Sequence, residues 1–345
     1  LVKLHEISPR EQDGRDTLSR YKAQTRAAGL ASLEILENKS VDRVYCDWHD
    51  DYVVRKSING KIVYHFFQVK TKEKRNAQWS LNDIFGVHNR TKTENIAERI
   101  TESFAGKLLI HTVNFIDTCE AVVFLTNIHL KDEVEDLLTS LDQDDYSHKT
   151  LQHLTNHFLE CFCGGKPLYT DEEIKVFIRK FRIIPGLEHL KVDGTQFEAL
   201  AREKIFEFSE IDLEYMEARE ILDSLLNLIE KKSIGVVRTA LNEKQLDELA
   251  GVGIEDLLEI LSISKIAFQS LREGGDKKAL KNVSILQRIL GKSGTPKNLI
   301  DYAAKCKTDW DVWYRKNRHY IPDYDLAMLE SKLSDVIKKH SPSGV

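Results

Sequence analysis

The sequence predicts an α/β core followed by an all-helical C-terminal domain, on three observations. Asn59-Gly60, the strongest short signal for a two-residue hairpin turn, separates two runs rich in β-branched and aromatic residues, from Tyr45 to Ile58 and from Lys61 to Thr71. Ala121 to Thr126, AVVFLT, is a short continuous apolar run of the kind found in a central strand covered on both faces. From Lys131 onward, apolar residues recur at helical rather than strand spacing.

In chain order, Pro9 and Gly14 argue against regular structure in residues 1 to 14. A helix is expected from Asp16 to Glu37, with Asp13 or Asp16 as N-cap, and within it Arg20, Gln24, Ala28 and Ala31 share one face. The small residues let that face lie close to a sheet, which directs Gln24 and Arg20 toward the mouth of the hairpin, with Glu34 further along the helix. After the hairpin, a helix is expected from Thr93 to Leu109, then the AVVFLT strand, then helices in DEVEDLLTSL, KTLQHLTNHFLECF and DEEIKVFIRKFRII up to a break at Pro185-Gly186. Gln196 to Phe208 and Asp212 to Glu230 are again helical. The expected domain boundary lies near residue 205, giving a domain over 1–205 with its core at 13–127 and a helical domain over 206–345. In the second, Trp310, Trp313, Tyr314, Tyr320 and Tyr324 form an aromatic patch that reads as core more than as interface. Gly291-Lys292-Ser293 resembles the end of a phosphate-binding loop, but the upstream glycine is replaced by Leu286 and no strand precedes it.

The hairpin carries the chemistry. With Asn59 and Gly60 as the loop, Ile58 pairs with Lys61, and counting outward sets Asp51 opposite Gln68. Side chains alternate along a strand, so Asp51, Gln68 and Lys70 share one face while Asp50 points to the other. A carboxylate, an amide oxygen and an ammonium converge at the open end of the hairpin, the set a metal-dependent phosphodiesterase needs. A hard cation such as Mg2+ or Mn2+ takes oxygen ligands and keeps several waters. Asp51 is the anionic ligand in this reading, Gln68 adds a neutral oxygen, the Val69 carbonyl between them is a third, and Glu34 is a candidate for a second metal. Lys70 would lie near the scissile phosphate, orienting the attacking water and offsetting transition-state charge. The competing reading is a solvated edge hairpin, but HFFQVKT is apolar up to Gln68 and then abruptly polar.

Composition bounds the partners. The chain has 345 residues, 41% hydrophobic and 30% charged, with a net charge of −5, which argues against indiscriminate coating of nucleic acid. Contact with DNA must come from a local basic surface. Lys70, Lys72, Lys74, Arg75, Arg90 and Lys92 supply one beside the site, outnumbering Glu73 and Asp83, and Trp79 is placed to stack or pack. Five scattered cysteines argue for reduced thiols, and the absence of a secretory signal or membrane span argues for a cytoplasmic protein. His153, His157 and Cys161 follow helical spacing that would suit zinc, yet Leu151, Leu154 and Phe158 on the same stretch mark an ordinary amphipathic helix.

The D…QxK pair on a hairpin resembles the PD-(D/E)xK superfamily of restriction-endonuclease-like nucleases in its Gln-for-Glu variant. The longer string RDTLSRYKAQTRAAGLASLEIL, VYCDWHDDYVV and FFQVKT is similar to the double-stranded-DNA endonuclease domain of bacterial anti-phage systems. That domain occurs in the CBASS effector nucleases associated with CD-NTases and in nucleases partnered with HerA-type ATPases. The resemblance implies Asp51 and Gln68-x-Lys70 as catalytic positions and matches Gln24 to a glutamine of the first helix. Two departures stand: no proline precedes Asp51, and Gln68 removes one negative charge from the metal site. The nucleotide-sensing domain of the CBASS effectors is not recognisable in the C-terminal half, which favours a separate partner, such as a HerA-type ATPase, docked through the helical domain.

The expected function is therefore a metal-dependent endonuclease cutting double-stranded DNA as a defence effector, gated by homo-oligomeric assembly. The alternatives are a catalytically weak nuclease-like clamp or scaffold, and an RNA-cleaving nuclease, since phosphodiester hydrolysis does not report the sugar.

Overall fold

A computed structural model describes residues 13–37, 40–74, 76–87, 94–166, 168–191, 195–209, 215–235, 241–261, 286–287, 290–291 and 293–317, with residues 325, 328, 331 and 332. The chain divides into two compact units, Leu1–Ile260 and Leu261–Val345. The boundary expected near residue 205 thus falls inside the first unit.

The first unit opens with α1 (Asp13–Leu33), which ends in a 3-10 turn at Glu34–Glu37. Three antiparallel strands follow: β1 (Val41–Trp48), β2 (Asp50–Ile58) and β3 (Lys61–Lys70). The β2–β3 hairpin closes on Ile58 opposite Lys61, and Asn59 and Gly60 take φ of 50° and 77°, the left-handed pair that such a turn demands. The expected single run from Tyr45 to Ile58 is in fact two strands. It folds back at His49, with Trp48 paired to Asp50, and both Asp47 (φ 48°) and His49 (φ 64°) adopt left-handed backbone without a glycine. Asp47 and Asp50 flank the bend, but no glycine, proline or asparagine marks it.

The chain then forms β4 (Gln78–Trp79), α2 (Leu81–Phe85), α3 (Ile96–Glu102), α4 (Phe104–Asn114) and β5 (Cys119–Thr126). The single helix expected from Thr93 to Leu109 is broken at Ser103, whose extended backbone ends α3 while its hydroxyl caps α4 by accepting from the Gly106 N–H. Gly106 lies so close to the Ile100 carbonyl that any Cβ would collide with it, so the bend depends on that glycine. AVVFLT is a central strand as expected: β5 runs parallel to β3 on one side and to β7 (Phe181–Ile184) on the other. Before β7 come β6 (His129–Leu130), which pairs with β4, and α5 (Asp132–Asp142), α6 (Lys149–Cys163) and α7 (Asp171–Ile178). The expected helix through DEEIKVFIRKFRII stops at Ile178, because its Ile-rich end pairs with the open side of β5 instead.

The helices α8 (Thr195–Ser209) and α9 (Tyr215–Ser233) pack on α1, and Gly29 of α1 sits against Phe197, Leu225 and Leu226. After α10 (Glu243–Leu249), Gly251–Val252 forms β8, paired antiparallel with β1, and α11 (Ile254–Ile260) closes the unit. The six-stranded mixed sheet therefore runs β7-β5-β3-β2-β1-β8. This is why the first unit reaches residue 260: a strand from the stretch expected to be purely helical completes the sheet. An ionic network holds it there. Asp247 accepts from the Tyr45 hydroxyl at 2.8 Å and pairs with Arg43, and Arg55 joins Asp42 and Glu243, each at 2.8 Å.

One face of the sheet presents Tyr45, Val53, Phe66, Val122 and Phe124 to α2 to α4. The alternate residues Val44, Tyr52, Val54 and Val123 are also buried, as strands covered on both faces require. The second unit contains α12 (Lys297–Asn317), on which the Trp310 and Trp313 rings lie 5.4 Å apart and Trp313 is exposed. Tyr320 and Tyr324 lie outside the described residues.

Candidate active site

Antiparallel pairing brings the start of β2 and the end of β3 to the same edge of the sheet. The ladder holds the register of the hairpin count as far as Tyr52 opposite Phe67, and Asp51 and Gln68 are the next residues outward on their strands. Tyr52 and Phe67 stack with centroids 4.6 Å apart, and the pleat turns them away from Asp51, Gln68 and Lys70. The Val69 N–H donates to Asp51 Oδ2 at 2.6 Å, and Lys70 Nζ reaches the same oxygen at 3.3 Å. The floor beneath is aromatic. Gln68 is flanked across the parallel ladder by Phe124 and Lys70 by Thr126, and Lys70 Nζ lies 5.8 Å from the centre of the Phe104 ring.

Burial sets the electrostatics. It pushes the Asp51 carboxyl above its ordinary value, with Asp50 adding to the rise, while the Lys70 charge and the Val69 N–H pull it back. Gln68 is only 7% exposed, and its Oε1 is buried with no hydrogen-bond partner. An orphaned buried carbonyl is costly and rare. On the strand that bonds to Asp51, it offers an oxygen of the type a hard divalent cation prefers.

The other predicted residues are more dispersed. Asp51 takes hydrogen bonds from Val69 and Lys70, and on α1 Gln24 is half-buried and Arg20 exposed. Glu34 is half-buried in the 3-10 turn, where its charge adds to the raised pKa of Tyr52. Lys72 continues the basic edge: its Nζ sits 3.7 Å from the centre of the Trp79 ring and 3.6 Å from Asp83 Oδ2. Trp79 packs rather than offering an open stacking face, since it is 5% exposed and donates from Nε1 to Thr126 Oγ1 at 2.7 Å. Lys74 is exposed, and Arg75, Arg90 and Lys92 lie outside the described residues.

Three residues around the site were not singled out from sequence. Asn127 clamps the backbone of Lys72 at both ends, accepting from its N–H and donating to its carbonyl, each at 3.0 Å. Asp50, expected to point to the opposite face, instead forms a buried pair at 3.2 Å with His111, whose ring stacks on Phe66 of the Gln68 face. Both contacts span more than fifty residues, and no local signal marks them. On α6, Leu151, Leu154 and Phe158 are core, and His157 pairs with Glu160. Among the described residues no three His, Cys, Asp or Glu side chains are placed to hold a metal.

Comparison with known proteins agrees with this architecture. Residues 12–233 match the family described as Cap4, dsDNA endonuclease domain. No curated protein sequence matches the chain. Among solved structures, the Acinetobacter baumannii Cap4 SAVED/CARF-domain containing receptor with the cyclic trinucleotide 2'3'3'-cAAA is similar at 10% identity and a TM-score of 0.40, over 72% of this chain and 44% of that one. The Moraxella osloensis Cap4 SAVED/CARF-domain containing receptor is similar at 12% identity and a TM-score of 0.37, over 73% and 47%. The chain thus spans less than half the length of these structures. Its mixed sheet flanked by helices is a restriction-endonuclease-like core, and the match over most of its length shows that the chain belongs to the Cap4 double-stranded-DNA endonuclease domain family.

Proposed function

We propose that this chain is a metal-dependent endonuclease that cuts double-stranded DNA in anti-phage defence, with Asp51, Gln68 and Lys70 as its catalytic residues. The observation that carries the reading is the buried, unpartnered Gln68 Oε1 on a hairpin that also holds Lys70 against the Asp51 carboxylate. Asp51, Gln68 and the Val69 carbonyl would hold Mg2+ or Mn2+, with Glu34 as a candidate ligand for a second ion. The bound cation would supply Lewis acidity toward a phosphate oxygen and lower the pKa of a bound water.

The chain's own residues do the rest. Lys70, tethered to Asp51, presents an ammonium to the scissile phosphate, where it orients the attacking water and offsets the growing negative charge. The Val69 N–H holds the Asp51 carboxylate in place. Lys72 and Lys74, together with Arg75, Arg90 and Lys92, extend the positive edge along which a phosphate backbone would run. Gln24 and Arg20 of α1 would support the site from the neighbouring helix. No helix among the described residues is long and apolar enough to cross a membrane, and we place the enzyme in the cytoplasm. There, homo-oligomeric assembly and a partner such as a HerA-type ATPase would keep it from cutting host DNA.

Plasmid cleavage with Mg2+ or Mn2+ tests the reading, comparing wild type, Lys70→Ala and an EDTA control, each with and without the protein encoded beside it. We expect cutting that is lost in EDTA and falls about 10²–10³-fold in Lys70→Ala, the usual cost of removing one transition-state charge partner. DNA that is bound but never cut would instead support the clamp reading.

A further inference from the structure

We infer that the buried Asp50–His111 pair is a positioning device for the Asp51 carboxylate, a role that deepens the proposed active site and rests on it. Asp50 bridges two elements with its two oxygens: Oδ1 accepts from the Asp51 N–H at 3.0 Å, and Oδ2 lies 3.2 Å from His111 Nε2 on α4. The Asp50 and His111 side chains are 6% and 7% exposed. A carboxylate only accepts, so the imidazole proton sits on Nε2 and the buried Nδ1 is left without a partner.

His111 also touches the other strand of the site. Its ring stacks on Phe66 with centroids 4.3 Å apart and planes 12° apart, and Phe66 lies two residues before Gln68 on the same face of β3. One imidazole therefore ties the strand that carries Asp51 to the strand that carries Gln68 and Lys70. The tie is needed because Asp51 lies two residues after a turn at His49, where both Asp47 and His49 hold left-handed backbone without glycine. The His49 ring is in turn held edge-on by Phe115 at 5.0 Å.

Stability does not account for the pair. Replacing both members of a buried pair with apolar residues of similar volume is often neutral or stabilising, whereas removing one member alone leaves its partner uncompensated and costs stability. What a leucine cannot supply is a fixed direction for Asp50, and through it for the Asp51 backbone. Partners one step removed from a metal site typically change metal affinity or activity by 10–100-fold when removed.

The test compares wild type with His111→Leu and His111→Gln, the latter chosen because its terminal amide reaches the position of Nε2. Mn2+ affinity in titrations without DNA and the plasmid cleavage rate are measured alongside thermal melts. We expect His111→Leu to melt lower than wild type, because it leaves the Asp50 carboxylate buried without its partner, and its folded form to lose about 10–100-fold in Mn2+ affinity and in cleavage, with His111→Gln recovering most of both. Unchanged Mn2+ affinity in His111→Leu, or equal losses in the two variants, would overturn the inference. If His111→Leu does not fold, Asp50→Leu breaks the same bridge from the β2 side and is judged by the same readouts. A wild-type chain that binds Mn2+ but cuts no DNA overturns only the nuclease reading, and the titrations still decide the positioning role. A wild type that binds no Mn2+ overturns both.

Discussion

Gln68→Met should make the metal-free chain more stable while abolishing its activity. The wild-type amide is 7% exposed and its Oε1 has no partner, and a buried unsatisfied acceptor costs about 1–3 kcal/mol. Methionine is of similar length, adapts to irregular apolar surroundings and carries no such acceptor. For a unit of this size, each kcal/mol moves the melting temperature by about 2–4 °C, so the variant should melt about 2–12 °C higher in EDTA. Adding Mn2+ reverses the order. A cation that binds only the folded wild type adds about 2.7 kcal/mol at a hundredfold excess over its dissociation constant, and the variant should gain far less. Paired thermal melts with and without Mn2+ measure both effects, and plasmid cleavage follows the activity. A lower melting temperature for Gln68→Met in EDTA would refute the reasoning, because the amide oxygen would then be satisfied in solution. Equal stabilisation of both chains by Mn2+ would remove Gln68 from the ligand set.

Other perturbations probe the hairpin, the DNA edge and the acid response. Gly60→Ala has open space for its methyl but must adopt φ of 77°, so urea melts should show a loss of about 1–2 kcal/mol; no loss would mean that the turn relaxes at little cost. Lys72→Ala should weaken duplex binding and reduce the slope of log affinity against log salt by about 1, and an unchanged slope would take Lys72 off the phosphate path. Burial holds His49, His65, His148, His153 and His189 below the ordinary imidazole value of 6.5. Between those lowered values and 6.5 the unfolded chain binds more protons, so stability is present above the window and is lost as pH falls through it. Urea midpoints should therefore drop between about pH 7.5 and pH 5, and His65→Gln should shrink the drop; an equal drop in both chains would exclude His65 as a contributor.

Much of the site was legible because it depends on local rules. Asn59-Gly60 sets the turn, a two-residue period sets the faces, and together they carry Asp51 opposite Gln68 with Lys70 beside it. AVVFLT reads as a doubly covered strand because both of its faces are apolar. Elsewhere, partners distant in the chain decided the outcome. The FRII segment has helical neighbours and becomes a strand only because β5 offers an open side. The turn at His49 lacks glycine, proline and asparagine and is held by Phe115 and, through Asp50, by His111, which lies 61 positions away. Asn127 reaches back 55 positions to clamp Lys72. β8 exists because β1 leaves a side free and Asp247 finds Tyr45 and Arg43 beside it. The chemical groups of the site follow from residue order, whereas their burial, the orphaned Gln68 oxygen and the Asp50–His111 strut arise only when the helices close over the sheet. Desolvation and long-range pairing are properties of the packed chain, and no window of sequence contains them.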